Sequence, residues 1–280
     1  MSLARPLDRF SLVRTSDLDE VLAARSRMYA TPKFEVVGRR KTFWAVVNLC
    51  ELRHTRISYG AYAAGLRMRF PETSFATQVF LLAGKTEAVI GRRSETIAPG
   101  RALVISPHEG FGVSHDCDYE RLVLSARSES LVNVLAAITG RNCPESPKFH
   151  PVQDYTVSAA RTLRDHFLFL VRQLTVSPAP LPKPVLDEYE QTLMVMFLHA
   201  NHNNYSHVLE RTPRDAALWQ VRRAEEFIEA NWQRAITLQD LAAVTGVSAL
   251  SLFRTFKAYR GYSPFAFLAV VRARHGRTLQ

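Results

Sequence analysis

The residues whose types and spacing best suit recognition chemistry lie between Ser248 and Lys257. Read as a helix, Ala249–Tyr259 brings Leu250, Phe253, Arg254 and Lys257 to one face, with Ser248 and Ser251 at its start. An arginine on such a face can donate a two-pronged hydrogen bond to guanine O6 and N7. Apolar groups beside it can meet thymine methyls. Lys257, further along, suits a phosphate. The same face could be the solvated side of an ordinary helical hairpin, and Phe253 fits a groove or a core equally well. Leu252, Phe256 and Tyr259 recur on another side and are expected to face neighbouring helices.

The flanking residues must hold that helix outward. Ala242, Gly246 and Leu252 have the spacing of a helix-turn-helix. The first is small where two helices cross, the second permits a left-handed turn, and the third pins the second helix. Thr237 is placed to cap Leu238–Thr245, with Asp240 at its third position, and Ser248 to cap the next helix. Gly261 ends that helix. Ser263 and Pro264 then open a basic helix running from Phe265 to Leu279. Upstream, Ala216–Asn231 reads as a helix with Leu218, Val221, Ala224 and Ile228 inward. From Arg211 to Gln280 there are eleven Lys and Arg against five Asp and Glu, a large share of the whole-chain net charge of +10. A basic excess concentrated there suits an anionic polymer such as DNA.

The remainder of the 280 residues is enough for a second domain. From about Phe10 to Ser125 the pattern is short strands broken by Gly and Pro turns: Phe43–Leu49, Gln78–Leu82, Ala102–Ile105 and Arg121–Leu124. That spacing predicts an antiparallel sandwich or barrel. Helices are expected at Glu129–Thr139, stopped by Gly140, then at Val157–Leu174 and Val185–Ala200. Pro178, Pro180, Pro182 and Pro184 make a stiff connector between the last two. Leu186, Tyr189, Leu193, Met196 and Phe197 share a face of the last helix, which suits either dimerisation or packing on the chain's own barrel. Asn201–Pro213 is polar and without periodicity, and reads as a linker.

Several chemistries find no support. No run of eighteen apolar residues suggests a membrane span, and the first residues lack the apolar stretch of a signal peptide. Cys50, Cys117 and Cys143 form no close pair, which points to a reducing, cytoplasmic setting. No phosphate-cradling glycine loop occurs. His199, His202 and His207 have no standard zinc spacing. His108 and His115 lack the paired His and following Glu of a metal-binding barrel. Ser106, Ser114, His115 and Asp116 include triad residue types without a nucleophile elbow. No catalytic residue, metal or cofactor is therefore expected.

The string Leu241-Ala242, Gly246-Val247-Ser248, Leu252, Arg254, Phe256-Lys257, Gly261, Ser263-Pro264 and Leu268 resembles the first helix-turn-helix of the AraC/XylS family of bacterial transcription regulators. Thr96–Pro107 is similar, more loosely, to the cupin-like domain of one branch of that family. The resemblance implies an α+β protein. Residues 1–205 would form a cupin-like antiparallel barrel with flanking helices, for effector binding and dimerisation. Residues 214–280 would form an all-α DNA-binding domain. It implies a homodimeric, ligand-responsive, non-enzymatic regulator whose partners are promoter DNA and a small effector, such as an aromatic or other organic acid. Arg53, Arg67 and Arg69 are available to pair with such an acid or to serve as surface charge. Family members carry a second helix-turn-helix after a long linker helix. Here the sequence ends at Gln280 inside the expected linker helix, where Arg272 matches a common arginine, Ala273 replaces the usual leucine and Gly276 the usual alanine. Weak DNA binding by these residues alone is the corresponding expectation. The rival readings are a small-molecule-binding dimer that does not bind DNA, and a cupin-type enzyme.

Overall fold

The computed structural model describes residues 5–28, 32–37, 43–139, 143–177, 179–209 and 214–277. The chain divides into two compact units, Met1–Ser128 with Pro147–Asn204, and Glu129–Ser146 with Tyr205–Gln280.

The Gly- and Pro-punctuated segments of the first unit fold into β1 (Ser11–Thr15), β2 (Lys33–Val37), β3 (Ala45–Glu51), β4 (Thr55–Tyr62), β5 (Gly65–Phe70), β6 (Phe75–Ala83), β7 (Thr86–Ile90), β8 (Arg93–Ile97), β9 (Arg101–Ile105), β10 (Phe111–His115), β11 (Tyr119–Arg127) and β12 (Val152–Asp154). Seven of them pair in the order β1-β3-β4-β11-β6-β9-β12, five in the order β2-β5-β10-β7-β8, all antiparallel. Side chains from both sheets, among them Val47, Leu66, Met68, Val79, Leu103, Val113 and Val123, share one core. This is the antiparallel architecture that the turn spacing predicts, and the cupin-like barrel that the family resemblance implies.

The covering of each sheet explains its sequence pattern. β5 and β7 alternate buried and exposed residues, because one face meets solvent. β6 is buried over Phe75–Leu81 on both faces. Its outer face carries Phe80, stacked on Phe167 of α3 (Ser158–Val176) at 4.8 Å. It also carries Gln78, whose Oε1 accepts from Asn201 just past α4 (Lys183–Ala200).

Three expectations for this unit need correction. The run from Phe10 to Ser125 is not all strand: α1 (Leu18–Ser26) interrupts it, capped by the Asp17 carboxylate on the Asp19 amide at 2.8 Å. α1 lacks apolar periodicity, so nothing but its cap announces it. The face of α4 proposed for dimerisation is partly used within the unit, since Leu193 and Phe197 are buried and Phe197 packs edge-on against Phe149. The expected linker begins too early. Asn201 and Asn203 are buried, with their amides on Gln78, Phe197 and Leu198, and a short helix, α5 (Ser206–Leu209), follows in the second unit. Polar side chains bonded to backbone leave no apolar period to read. Gly140, Pro178, Arg211–Pro213 and Leu279 lie outside the described residues, as does the side chain of Leu218.

The second unit holds α2 (Ser128–Thr139, from Glu129 onward), α6 (Arg214–Asn231), α7 (Leu238–Thr245), α8 (Ala249–Arg260) and α9 (Pro264–Arg277). Its core is Val221, Ala224, Ile228, Ile236, Leu241, Leu252, Phe256, Leu268 and Val271. The expected caps form. Thr237 and Asp240 make a reciprocal capping box, and Ser248 and Ser263 accept from the amides of Ser251 and Ala266. Gly246 takes φ 68 between α7 and α8, where α2 passes so close that a Cβ on this glycine would collide with the Asn133 carbonyl.

Candidate functional site

Two arrangements carry chemistry. The first is the outer face of α8. Leu252 and Phe256 are fully buried and anchor the helix. Leu250 is 53% exposed, and Ser251, Arg254 and Lys257 are exposed beside it. Phe253 is half-buried, between the groove and core readings. Ser248 is taken up by the cap. Tyr259, expected inward, is 40% exposed, because it sits in the last turn of α8 beyond the core residues of that helix.

The cations of this unit divide into two kinds. Arg260 grips Glu225 with two 2.8 Å bonds. Arg272 donates to the carbonyls of Trp232 and Arg234, at 2.9 and 2.7 Å, closing the chain after α6. These two arginines hold the helices together. Arg254 and Lys257 make no ion pair among the described residues, and so remain available to a partner. A helix fixed on one side, with available cations and exposed apolar groups on the other, can enter a major groove and meet base edges and phosphates.

The second arrangement lies inside the barrel, and no sequence pattern announces it. Arg25 reaches in from α1 fully buried, and donates to the Tyr62 hydroxyl at 2.6 Å. Arg121 of β11 is 5% exposed. Burial alone would push the Tyr62 phenol up, but the Arg25 and Arg121 guanidiniums outweigh it and hold it below the ordinary range. Tyr119 and His115 stack at 3.9 Å beside them. Burial raises Tyr119 to about 12 and lowers His115 to about 4, so both are neutral at pH 7. Arg121 and Tyr119 border a gap also lined by Phe70, Thr77, Val79, Phe111, Val113 and Val123.

The other candidates do not assemble. Strand alternation buries His115 while Ser114 and Asp116 face away, and His115 Nδ1 bonds only the Asp116 carbonyl, at 2.7 Å. Ser106 accepts from the Phe149 amide. Among the described residues no group of three or more His, Cys, Asp or Glu could hold a metal, and His199, His202 and His207 are not brought together as one. Arg67 pairs with Glu35 at 3.4 Å, and with Arg69 it lines an open groove of about 510 Å³ on the outer face of the five-stranded sheet. Arg53 lies apart from that groove. Among the described residues no helix is long and apolar enough to cross a membrane.

The barrel and the C-terminal helices together are similar to a crystal structure of the AraC-like transcriptional activator CuxR. The TM-score is 0.55 at 14% identity, over 96% of this chain and 94% of that one, which shows a shared fold. The cupin domain of Cnp3 from Schizosaccharomyces pombe matches 30% of this chain and 66% of its own, at 11% identity and a TM-score of 0.28. KdgF from Halomonas sp. matches 34% of this chain and 86% of its own, at 12% identity and 0.28. At those scores neither bears on the chemistry here. No curated protein sequence matches the chain. The model of the AraC-binding-like domain matches residues 21–199, from within α1 to the end of α4, and so includes every strand from β2 to β12. The chain therefore belongs to the AraC-binding-like domain family.

Proposed function

We propose that this protein is a ligand-responsive transcription regulator that holds a small organic effector in its barrel and contacts DNA through α8. The observation that carries the DNA reading is the division of cations just described. Arg260 and Arg272 are committed to protein partners, whereas Arg254 and Lys257 stand available on the exposed face of a capped, anchored helix. Ser251, Leu250, Phe253 and Arg254 are the base-reading candidates, Lys257 the phosphate contact, and Ser248 the cap that sets the helix start. The effector is an aromatic or other organic acid. Homodimerisation draws on the outer faces of α3 and α4, where Phe169, Val176 and Val185 are exposed, rather than on the buried Leu193 and Phe197.

Selection from a random duplex pool, followed by salt titration of the best sequence, tests the reading. Sequence-specific retention that weakens with salt is expected. Arg254→Ala should cost about 1–3 kcal/mol and relax specificity at one base position, and Lys257→Ala should lower the salt slope by roughly one unit without changing sequence preference. Retention that ignores sequence and survives Arg254→Ala would overturn the assignment of α8.

A further inference from the structure

The geometry points to a separate binding site on the outer face of the five-stranded sheet: a shallow groove that takes an α-amino acid with a large apolar side chain. It lies outside the barrel and does not depend on the effector reading above.

The groove follows from strand pairing. β10 runs between β5 and β7, and Gly112 and Ser114 are its residues on the solvent side. Gly112 stands opposite Arg69 on one side and Val89 on the other, and Ser114 opposite Arg67 and Glu87. Residues directly opposite share a face, so all of them lie on the same side of the sheet. Arg69, Glu87 and Val89 are exposed there, around an open volume of about 510 Å³. That volume is open because β10 carries a glycine at its centre, an unfavourable strand residue that often marks a close approach by another molecule. Neither backbone nor packing requires it. Its φ is not in the left-handed region, and an added Cβ would lie 3.7 Å from the Met68 carbonyl and 3.8 Å from Arg69 Cγ, which is ordinary contact.

Charge identifies the ligand. Arg67 is balanced by Glu35 at 3.4 Å. Arg69 makes no ion pair among the described residues, and Lys33 stands opposite it on β2, so the β5 wall is positive. Across the groove, Glu87 accepts from the Ser94 hydroxyl at 3.0 Å, which orients its carboxylate and leaves its charge unbalanced among the described residues. One wall thus offers a cation and the other an anion. Neighbouring strands are about 4.8 Å apart, so β5 and β7 stand about 10 Å apart. The carboxylate and ammonium of an α-amino acid, joined through one carbon, bridge such a width with a contact of about 3 Å at each end. A simple anion would satisfy Arg69 and be repelled by Glu87, and a simple amine would meet the reverse. The ligand's side chain lies over Gly112 against Val89, which is 46% exposed.

Methyl NMR of the full chain with isotope-labelled valine tests the inference. L-phenylalanine is added at constant ionic strength and about pH 6, where amines are protonated, and the Val89 signals are assigned with Val89→Ala. Saturable shifts at Val89 are expected, with the interior Val79 and Val123 unmoved. N-acetylphenylalanine lacks the cation and phenylalaninamide the anion, and each should bind about threefold or more weakly than phenylalanine. Arg69→Gln should weaken phenylalanine by a similar factor and not phenylalaninamide. Glu87→Gln should weaken phenylalanine and not N-acetylphenylalanine. Gly112→Val should fill the groove and abolish the shift at Val89 while melting no lower than the parent, because valine suits an exposed strand. Where Gly112→Val fails to fold, the exposed Arg69 and Glu87 variants decide. No saturable shift at Val89, shifts confined to the interior valines, equal binding of the three ligands, or variants that bind as the parent does would overturn the inference.

Discussion

Replacing Gly246 should damage the second unit far more than replacing Gly261, although both close a helix in the left-handed region, at φ 68 and 78. An L-residue forced into that conformation costs about 1–2 kcal/mol. That term applies to both sites. At Gly261 it stands alone, because a Cβ there meets nothing within 4 Å. At Gly246 the added Cβ also runs into the carbonyl of Asn133 on α2, with the Ala137 methyl 3.4 Å away. The obstacle is backbone, so no rotamer relieves it, and either α2 or the turn must shift. Overpacking of this kind costs typically about 1–3 kcal/mol. Gly246→Ala should therefore destabilise by roughly 2–5 kcal/mol and Gly261→Ala by roughly 1–2. Asparagine separates the two contributions, since it tolerates the left-handed region but keeps the Cβ. Gly261→Asn should be nearly neutral and Gly246→Asn still damaging. Urea unfolding in a Trp44→Phe background, where the remaining tryptophans Trp219 and Trp232 lie in the second unit, reads the effect by fluorescence. Equal midpoints for Gly246→Ala and Gly261→Ala would refute the close approach of α2.

Three further outcomes are expected. His115 is held neutral by burial, with its pKa lowered to about 4 against 6.5 when unfolded. Its contribution is full above pH 6.5 and is lost as pH falls towards 4, up to roughly 3 kcal/mol; His115→Leu should flatten the urea-midpoint profile between pH 7 and 4.5, and an unchanged slope would count against it. Glu190→Ala leaves the donors of His54 and Thr55 without their acceptor and should cost about 3 kcal/mol, with Glu190→Gln well under that in thermal melts. Arg272→Lys cannot bridge the carbonyls of Trp232 and Arg234 together, and should cost about 0.5–1.5 kcal/mol in the second unit by the same fluorescence assay.

What could be read from the chain follows the range of the interactions involved. Thr237 and Asp240, Ser248, Gly261, and Ser263 with Pro264 act on residues three or four positions away, so the helices they bound are legible with their ends nearly right. The barrel was legible as a class, because turn residues recur at strand spacing. Its edges were less so, and β3 begins at Ala45, two residues after the apolar run opens. The interior site was not legible. Arg25 and Tyr62 stand 37 positions apart and meet only because α1 folds onto a sheet that also brings in β11. A lone arginine in a helix without apolar periodicity reads as surface. Tyr259 failed for a related reason: helical spacing gives a face, but how far the packing partner extends along it is a property of the whole unit.

The path of the chain between the two units bears on how such proteins can be recombined. The backbone leaves the first unit after Ser128, contributes α2 to the second, and re-enters the first at Pro147. Gln220 of α6 donates to the Ala137 carbonyl, and Gly246 lies against Asn133, so α2 is fitted to the helices it meets there. A chimera joined at a single splice near residue 205 would therefore pair α2 from one parent with α6–α8 from the other. A functional exchange needs two junctions, one on each side of residues 129–146, so that α2 travels with the helices it fits.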